Sequence, residues 1–196
     1  MKTLAELRAV LGERPWLDEA VAMIRTEPGA IGRLFPAAGR KCGREPLADA
    51  PGWSADEAAR AVLLGALPPE RTAAEVREVY RYGDAAEKQA VLKALPLLAI
   101  GGDAVPLLQD AIRTNDTRLV AAALGPCSAH LDAPAWRQAV LKCVFMGVPL
   151  SVVDGLDVRA DAELAGMLAS FAEERRAAGR DVPADALAVL ESLREG

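Results

Sequence analysis

The sequence predicts an all-α protein, an irregular antiparallel array of helices in the manner of HEAT or TPR stacks, forming a single domain. Three observations predict it. Hydrophobic residues fill 52% of the 196 positions while aromatics fill only 4%, so alanine carries much of the apolar content. Alanine is the best helix former and lets helices approach closely. Apolar residues recur at helical spacing from end to end, and the period-2 pattern of strands is nearly absent. The pentapeptide QAVLK occurs twice, at Gln89–Lys93 and Gln138–Lys142, as stacked helical units would produce, although both copies use common helix formers.

The elements follow in order. Residues 3–12 place Leu4, Leu7, Val10 and Leu11 on one helical face, and Pro15 can open a second helix to about Thr26, because proline is tolerated in a first turn. The stretch from Glu27 to Trp53 is rich in glycine and proline and predicts an irregular region with at most one short helix near Ala30–Phe35. Three capping boxes then announce helices: Ser54 with Glu57, Thr72 with Glu75, and Asp84 with Glu87. In each, the short side chain accepts a free N–H of the first turn and the glutamate reaches back. Gly83 ends one helix directly before Asp84 begins the next. Asp103 predicts a cap for a helix to Thr114, and Asn115 or Asp116 one for a helix to about Leu124. Helices over Ala133–Gly147, Asp161–Ala178 (stopped by Gly179) and Pro183–Arg194 complete the chain. Residues 1–53 are expected to pack on an array formed by residues 54–196. Short connections make successive helices antiparallel neighbours.

Within the twin helices, Val91, Ala94, Leu95 and Leu98 form one core-facing stripe, and Trp136, Ala139, Val140, Cys143, Val144 and Gly147 the other. Gln and Lys are expected to share the exposed edge in each copy, because residues four apart lie on one helical face.

Composition bounds the function. Lys and Arg number 23 against 28 Asp and Glu, for a net charge of −5. An acidic, aromatic-poor chain lacks the basic surface and stacking rings that nucleic acid demands. Three cysteines, Cys42, Cys127 and Cys143, are too few for a disulfide framework and point to a reducing compartment. The first twenty residues mix acidic and apolar side chains as an amphipathic helix does, unlike a secretory signal. No run approaches the roughly 20 apolar residues that cross a bilayer. The expectation is a cytoplasmic protein with at most peripheral membrane association.

Catalytic signatures are missing: no phosphate-binding glycine loop, no nucleophile elbow and no His-Glu-x-x-His. Cys127 and His130 have Cys-x-x-His spacing, with Cys143 further on. One such pair falls short of the four ligands of a structural zinc site, and a Cys–His nucleophile would need an orienting third group. The plainer reading is a loop cysteine and an exposed histidine, with no metal and no cofactor. Arg33, Arg40, Lys41 and Arg44 fall on the glycine-rich stretch, where guanidiniums suit a carboxylate or phosphate or cap neighbouring helices. Tyr80, Arg81, Tyr82, Asp84, Glu87 and Lys88 crowd one helix junction, either lining a pocket or sealing a gap. Glu173 and Arg176 are spaced for a surface ion pair, and the charges around Phe171 could also face a groove.

Taken in order, several stretches resemble the EboA family of metabolite-traffic proteins: FPAAGRKCGREPL, YRYGDAAEKQAVLKALPLL, AIRTN, AWRQAVLKCVFMGVPL, GLDVRADAELAGML and ERRAAGR. They run in family order over roughly residues 30–182. One stretch departs: an asparagine-proline-tyrosine-proline-type loop is expected where this chain reads GPCSAHLD, Gly125–Asp132. The resemblance implies a cytoplasmic bacterial or algal protein whose gene cluster also encodes a UbiA-like membrane prenyltransferase and enzyme-like partners. In cyanobacteria it implies a link to moving a scytonemin precursor to the periplasm.

The reading that follows is a non-enzymatic binding or scaffold protein that helps to traffic a hydrophobic or prenylated secondary metabolite. The expected groove touches Arg40, Tyr80, Arg81, Asp84, Arg113, Asn115, Lys142, Arg159 and Arg180, with arginines holding anionic groups and Tyr80 stacking. The alternatives are a pure interaction module that docks biosynthetic enzymes at the membrane, and an enzyme using carboxylates such as Glu173 or Asp84.

Overall fold

Helix starts are written locally in this chain, and the structure, a computed structural model describing residues 2–195, uses most of them. Helix α1 (Leu4–Val10) opens on a Thr3–Glu6 capping box, with the Glu6 N–H donating to Thr3 Oγ1 at 3.2 Å and Glu6 Oε2 accepting the Thr3 N–H at 2.8 Å. Helix α2 (Pro15–Thr26) starts on its proline as expected. Then come α3 (Ile31–Cys42), α4 (Ala55–Gly65), α5 (Pro69–Tyr82), α6 (Ala85–Ala94), α7 (Val105–Arg113) and α8 (Thr117–Ala123). The series closes with α9 (Ala133–Met146), α10 (Leu156–Arg159), α11 (Ala162–Ala177) and α12 (Ala184–Glu195). Short 3-10 turns fill several connections. Among the described residues the only β feature is an isolated bridge between Pro46 and Ser54, so the chain is all-α.

Three expectations need correction. The glycine- and proline-rich stretch holds not a short helix but the twelve-residue α3. Its buried residues Ile31, Phe35, Ala38 and Cys42 follow a four-three-four spacing, and that continuous apolar stripe outweighs the cost of Pro36 inside the helix. Arg33, Arg40 and Lys41 therefore ride on a helix rather than a loop. Thr72 does not cap α5. That helix begins three residues earlier, at Pro69, whose fixed φ suits a first turn, and the buried Thr72 hydroxyl donates to the Pro68 carbonyl at 2.9 Å instead. Asp103 lies inside a 3-10 turn, Gly101–Ala104, ahead of α7, and faces Arg77 at 3.9 Å.

The Asp84–Glu87 box forms in full: the Glu87 N–H donates to Asp84 Oδ1 at 2.8 Å and the Asp84 N–H to Glu87 Oε2 at 3.0 Å. The Ser54–Glu57 box forms as well. Glu57 accepts the Ser54 N–H at 2.9 Å, and the Ser54 hydroxyl also donates to Asp56 at 2.6 Å. Asp116, Asp132 and Asp161 cap α8, α9 and α11. Gly147 ends α9 in the left-handed region, at φ 69°, where glycine carries no Cβ penalty.

The chain forms two compact units, one up to Leu107 and one from Leu108 onward. In the first, α4 packs against α1, α2, α3, α5 and α6. Its alanines are buried on almost every side, and their small size permits this hub. Helices α1, α2 and α3 all pack on α4, and α3 also packs on α5. Of the expected array, the all-α content stands, while this unit is organised around a hub. In the second unit α9 packs on α8 and α11, and α12 packs on α11. No described helix is long and apolar enough to cross a membrane.

Candidate ligand-binding site

In the second unit a cavity of about 700 Å³ opens beside the C-terminal ends of α9 and α11 and the turn leading into α12. Three short-range rules build it. Gly147 stops α9 just after Phe145, leaving that ring 62% exposed. The buried Phe171 of α11 meets it edge-on, with ring centroids 4.8 Å apart at 70°, a geometry that aromatic quadrupoles favour. Gly179 (φ 64°) turns the chain after α11, and the Arg180 N–H then donates to the Arg175 carbonyl at 2.9 Å. Arg180 and Pro183 both line the cavity.

The charges of this cavity are Glu174, Arg175 and Arg180. Arg175 is engaged: its Nε donates to the Asp181 carbonyl at 2.9 Å, and its guanidinium stands 6.0 Å from the centre of the Phe171 ring. Arg180 and Glu174 pair with no charged group among the described residues. An apolar wall beside an uncommitted guanidinium suits a molecule with a greasy body and an anionic group. Of the nine residues predicted to touch a ligand, Arg180 lines this cavity.

The other predicted residues of this unit do different work. Lys142 donates to the Ile112 and Thr114 carbonyls at 2.6 and 2.7 Å, closing the C-terminal end of α7. Arg159 donates to the Ser128 and Leu131 carbonyls at 2.7 and 2.9 Å and stacks 4.6 Å above the buried Trp136 ring. Burial lowers its pKa from the usual arginine range. Arg159 thereby clamps the Gly125–Asp132 stretch, which folds as a 3-10 turn over Pro126–His130. Arg113 is exposed and faces Asp110 at 3.6 Å, and Asn115 is exposed. Glu173 and Arg176 are also exposed and form no ion pair with each other.

In the first unit Arg40 and Arg81 are exposed, and the Arg81 guanidinium lies 5.3 Å from the Tyr82 ring centre. Tyr80 is 4% exposed, with Lys88 Nζ 4.9 Å from its ring centre, so its faces are covered by protein. Asp84 serves as the cap of α6. The crowded junction both seals and lines: Tyr82, 74% exposed, and Glu87 border a second cavity of about 380 Å³ floored by Phe35 and Val79. Its charged lining is Glu75, Glu78 and Glu87. Behind Glu87 lies a residue that the sequence reading missed. Arg60 is 2% exposed, bonded to Asp56 at 2.5 Å and to the Phe35 carbonyl at 3.3 Å, with Glu87 at 3.8 Å. The spacing of Asp56 and Arg60 on one helix was the available signal.

Neither Glu173 nor Asp84 lines either cavity. Burial pushes the Cys42 and Cys127 thiols above their usual range and Cys143 up to about 11, the opposite of an activated thiolate. His130 is exposed. Among the described residues, no three His, Cys, Asp or Glu side chains are grouped to hold a metal ion.

A family described as "Metabolite traffic protein EboA" matches the chain over residues 46–191. No curated protein and no solved structure matches it.

Proposed function

We propose, from the premise that the chain belongs to the EboA family of metabolite traffic proteins, that it is a non-enzymatic carrier holding its cargo in the cavity beside α9 and α11. The observation that carries this reading is the 62% exposed Phe145 ring set against Phe171 in a cavity that the uncommitted Arg180 also lines. An apolar ring left open to water and a guanidinium without a carboxylate are both improved by an amphiphilic ligand. In this reading Lys142 and Arg159 hold the walls of the unit, while Arg40, Arg81, Asp84, Arg113 and Asn115 offer surface to partners. The cargo is a hydrophobic or prenylated secondary metabolite. The carrier works in the cytoplasm of a bacterium with the products of its gene cluster, among them a UbiA-like prenyltransferase.

Native mass spectrometry of the protein purified from producer-cell extract tests this. Wild type is expected to retain a small molecule that Phe145→Ser loses. Retention of nothing by wild type, or of the same molecules by both, overturns the reading. Recovery of cluster proteins with no small molecule would favour the docking-module alternative.

A further inference from the structure

We infer that the cargo site selects a singly charged amphiphilic anion, an apolar body carrying one carboxylate, over neutral molecules and over polyanions such as a prenyl diphosphate. This deepens the carrier reading and rests on the cavity beside α9 and α11 being the cargo site.

The argument is one of charge count and commitment. The charged residues of the cavity lining are two arginines, Arg175 and Arg180, and one glutamate, Glu174, which leaves a net single positive charge. Arg175 is held at the wall by the Asp181 carbonyl and the Phe171 face. Arg180 is anchored only through its backbone N–H, and its guanidinium pairs with no carboxylate among the described residues. One carboxylate placed against Arg180 neutralises the site and gains the bidentate geometry that guanidinium offers. A neutral molecule leaves that charge unanswered. A diphosphate brings further negative charge beside Glu174, and like charges within a few ångströms repel. The apolar body has a defined place, because Phe145 presents an open face while Phe171 fixes it edge-on at 4.8 Å.

The test uses the full chain at pH 7.5, isothermal titration, and three probes: decanoate, 1-decanol and farnesyl diphosphate. Decanoate is expected to bind about tenfold tighter than decanol, the scale of one hydrogen-bonded charge contact, and tighter than farnesyl diphosphate. Arg180→Gln should erase the preference, bringing decanoate down to the affinity of decanol. Glu174→Gln should raise the affinity for farnesyl diphosphate. Equal binding of decanol and decanoate by wild type, a preference that survives Arg180→Gln, or farnesyl diphosphate binding tightest overturns the inference. If decanol and decanoate bind equally and Phe145→Ser weakens both, the charge selection fails while the cargo site stands. If no probe binds, or Phe145→Ser leaves every probe unaffected, the cargo site itself fails and the inference with it.

Discussion

Arg137 of α9 grips both carboxylate oxygens of Asp161, the residue that caps α11: Nε lies 3.0 Å from Oδ1 and Nη2 2.5 Å from Oδ2. The same carboxylate accepts the Leu164 N–H at 3.0 Å. One side chain therefore starts a helix and ties it to its neighbour. The hydrogen bond from Arg137, followed by that from the Leu164 N–H, holds the Asp161 carboxyl below the ordinary carboxylate range. A depressed folded-state pKa contributes stability that is fully present above the unfolded value, about 4, and is lost as pH falls through the lowered one. Asp161→Asn is expected to lower Tm at pH 7 and to flatten the loss of Tm below about pH 4. Thermal scans across that range check it, and an unchanged acid slope would refute the linkage.

The buried Arg60 cluster answers differently to one change than to two. Arg60→Ala leaves Asp56, 5% exposed, without its partner at 2.5 Å. The expected cost is about 3–5 kcal/mol, because an uncompensated charge stays buried. Replacing both groups by apolar ones, as in Arg60→Met with Asp56→Leu, is expected to cost markedly less. Urea unfolding of the single and double variants measures the difference, and equal losses would show that packing rather than charge pairing matters there.

The twin pentapeptides put their lysines to the same use in two places. Lys93 donates to the Gly52 carbonyl at 2.5 Å, pairs with Glu57 and stands 4.8 Å from the Trp53 ring centre, as Lys142 donates to the Ile112 and Thr114 carbonyls. Each ties its helix to a loop or helix end within its own unit. Lys142→Met is expected to cost about 1–3 kcal/mol through orphaned carbonyls and to speed amide exchange in the last turn of α7. Unchanged exchange there would show that water replaces the lysine freely.

Gly83 joins α5 to α6 with an ordinary extended backbone, φ −72° and ψ 152°, so its glycine is not required by conformation. It is required by space. A Cβ there would meet the Val79 carbonyl oxygen at 2.8 Å and the Glu87 Cβ at 3.0 Å. Gly83→Ala is therefore expected to destabilise by about 1–3 kcal/mol, although alanine normally stabilises a helix end relative to glycine. A rise in the urea midpoint would contradict the close approach.

Cys143 is buried and its thiol is pushed up to about 11 by desolvation. At pH 7.5 it should resist iodoacetamide in the native state and react fully in guanidinium, because the thiolate is the nucleophile. Rapid native labelling of Cys143, read by peptide mass mapping, would show that the second unit opens readily.

The fold was legible wherever a signal was local. The Asp84–Glu87 box could be named because a capping box is a contact between residues three apart. The misreadings were equally physical. Glycine and proline concealed α3, since its apolar stripe becomes decisive only when α4 and α5 cover it. Thr72 had the right neighbours for a cap, yet Pro69 opened the helix earlier. Of the candidate site, the charges around Phe171 were readable beside an aromatic on one helix, and Arg180 as a charge in the stretch that follows it. The open face of Phe145 was not, because its exposure depends on where α11 and the turn before α12 run.

By itself, then, the sequence determined an all-α chain and most of its helix starts and stops, because each of these lies in residues close together along the chain, and the order of its stretches carried the family. Only the tertiary structure decided that α4 is a hub, that Arg60 and Tyr80 are interior, and that Arg159 and Lys142 serve backbone carbonyls while Arg180 serves none. Burial and charge pairing sum over residues far apart in the sequence, so the role of a side chain waits on what the fold brings against it.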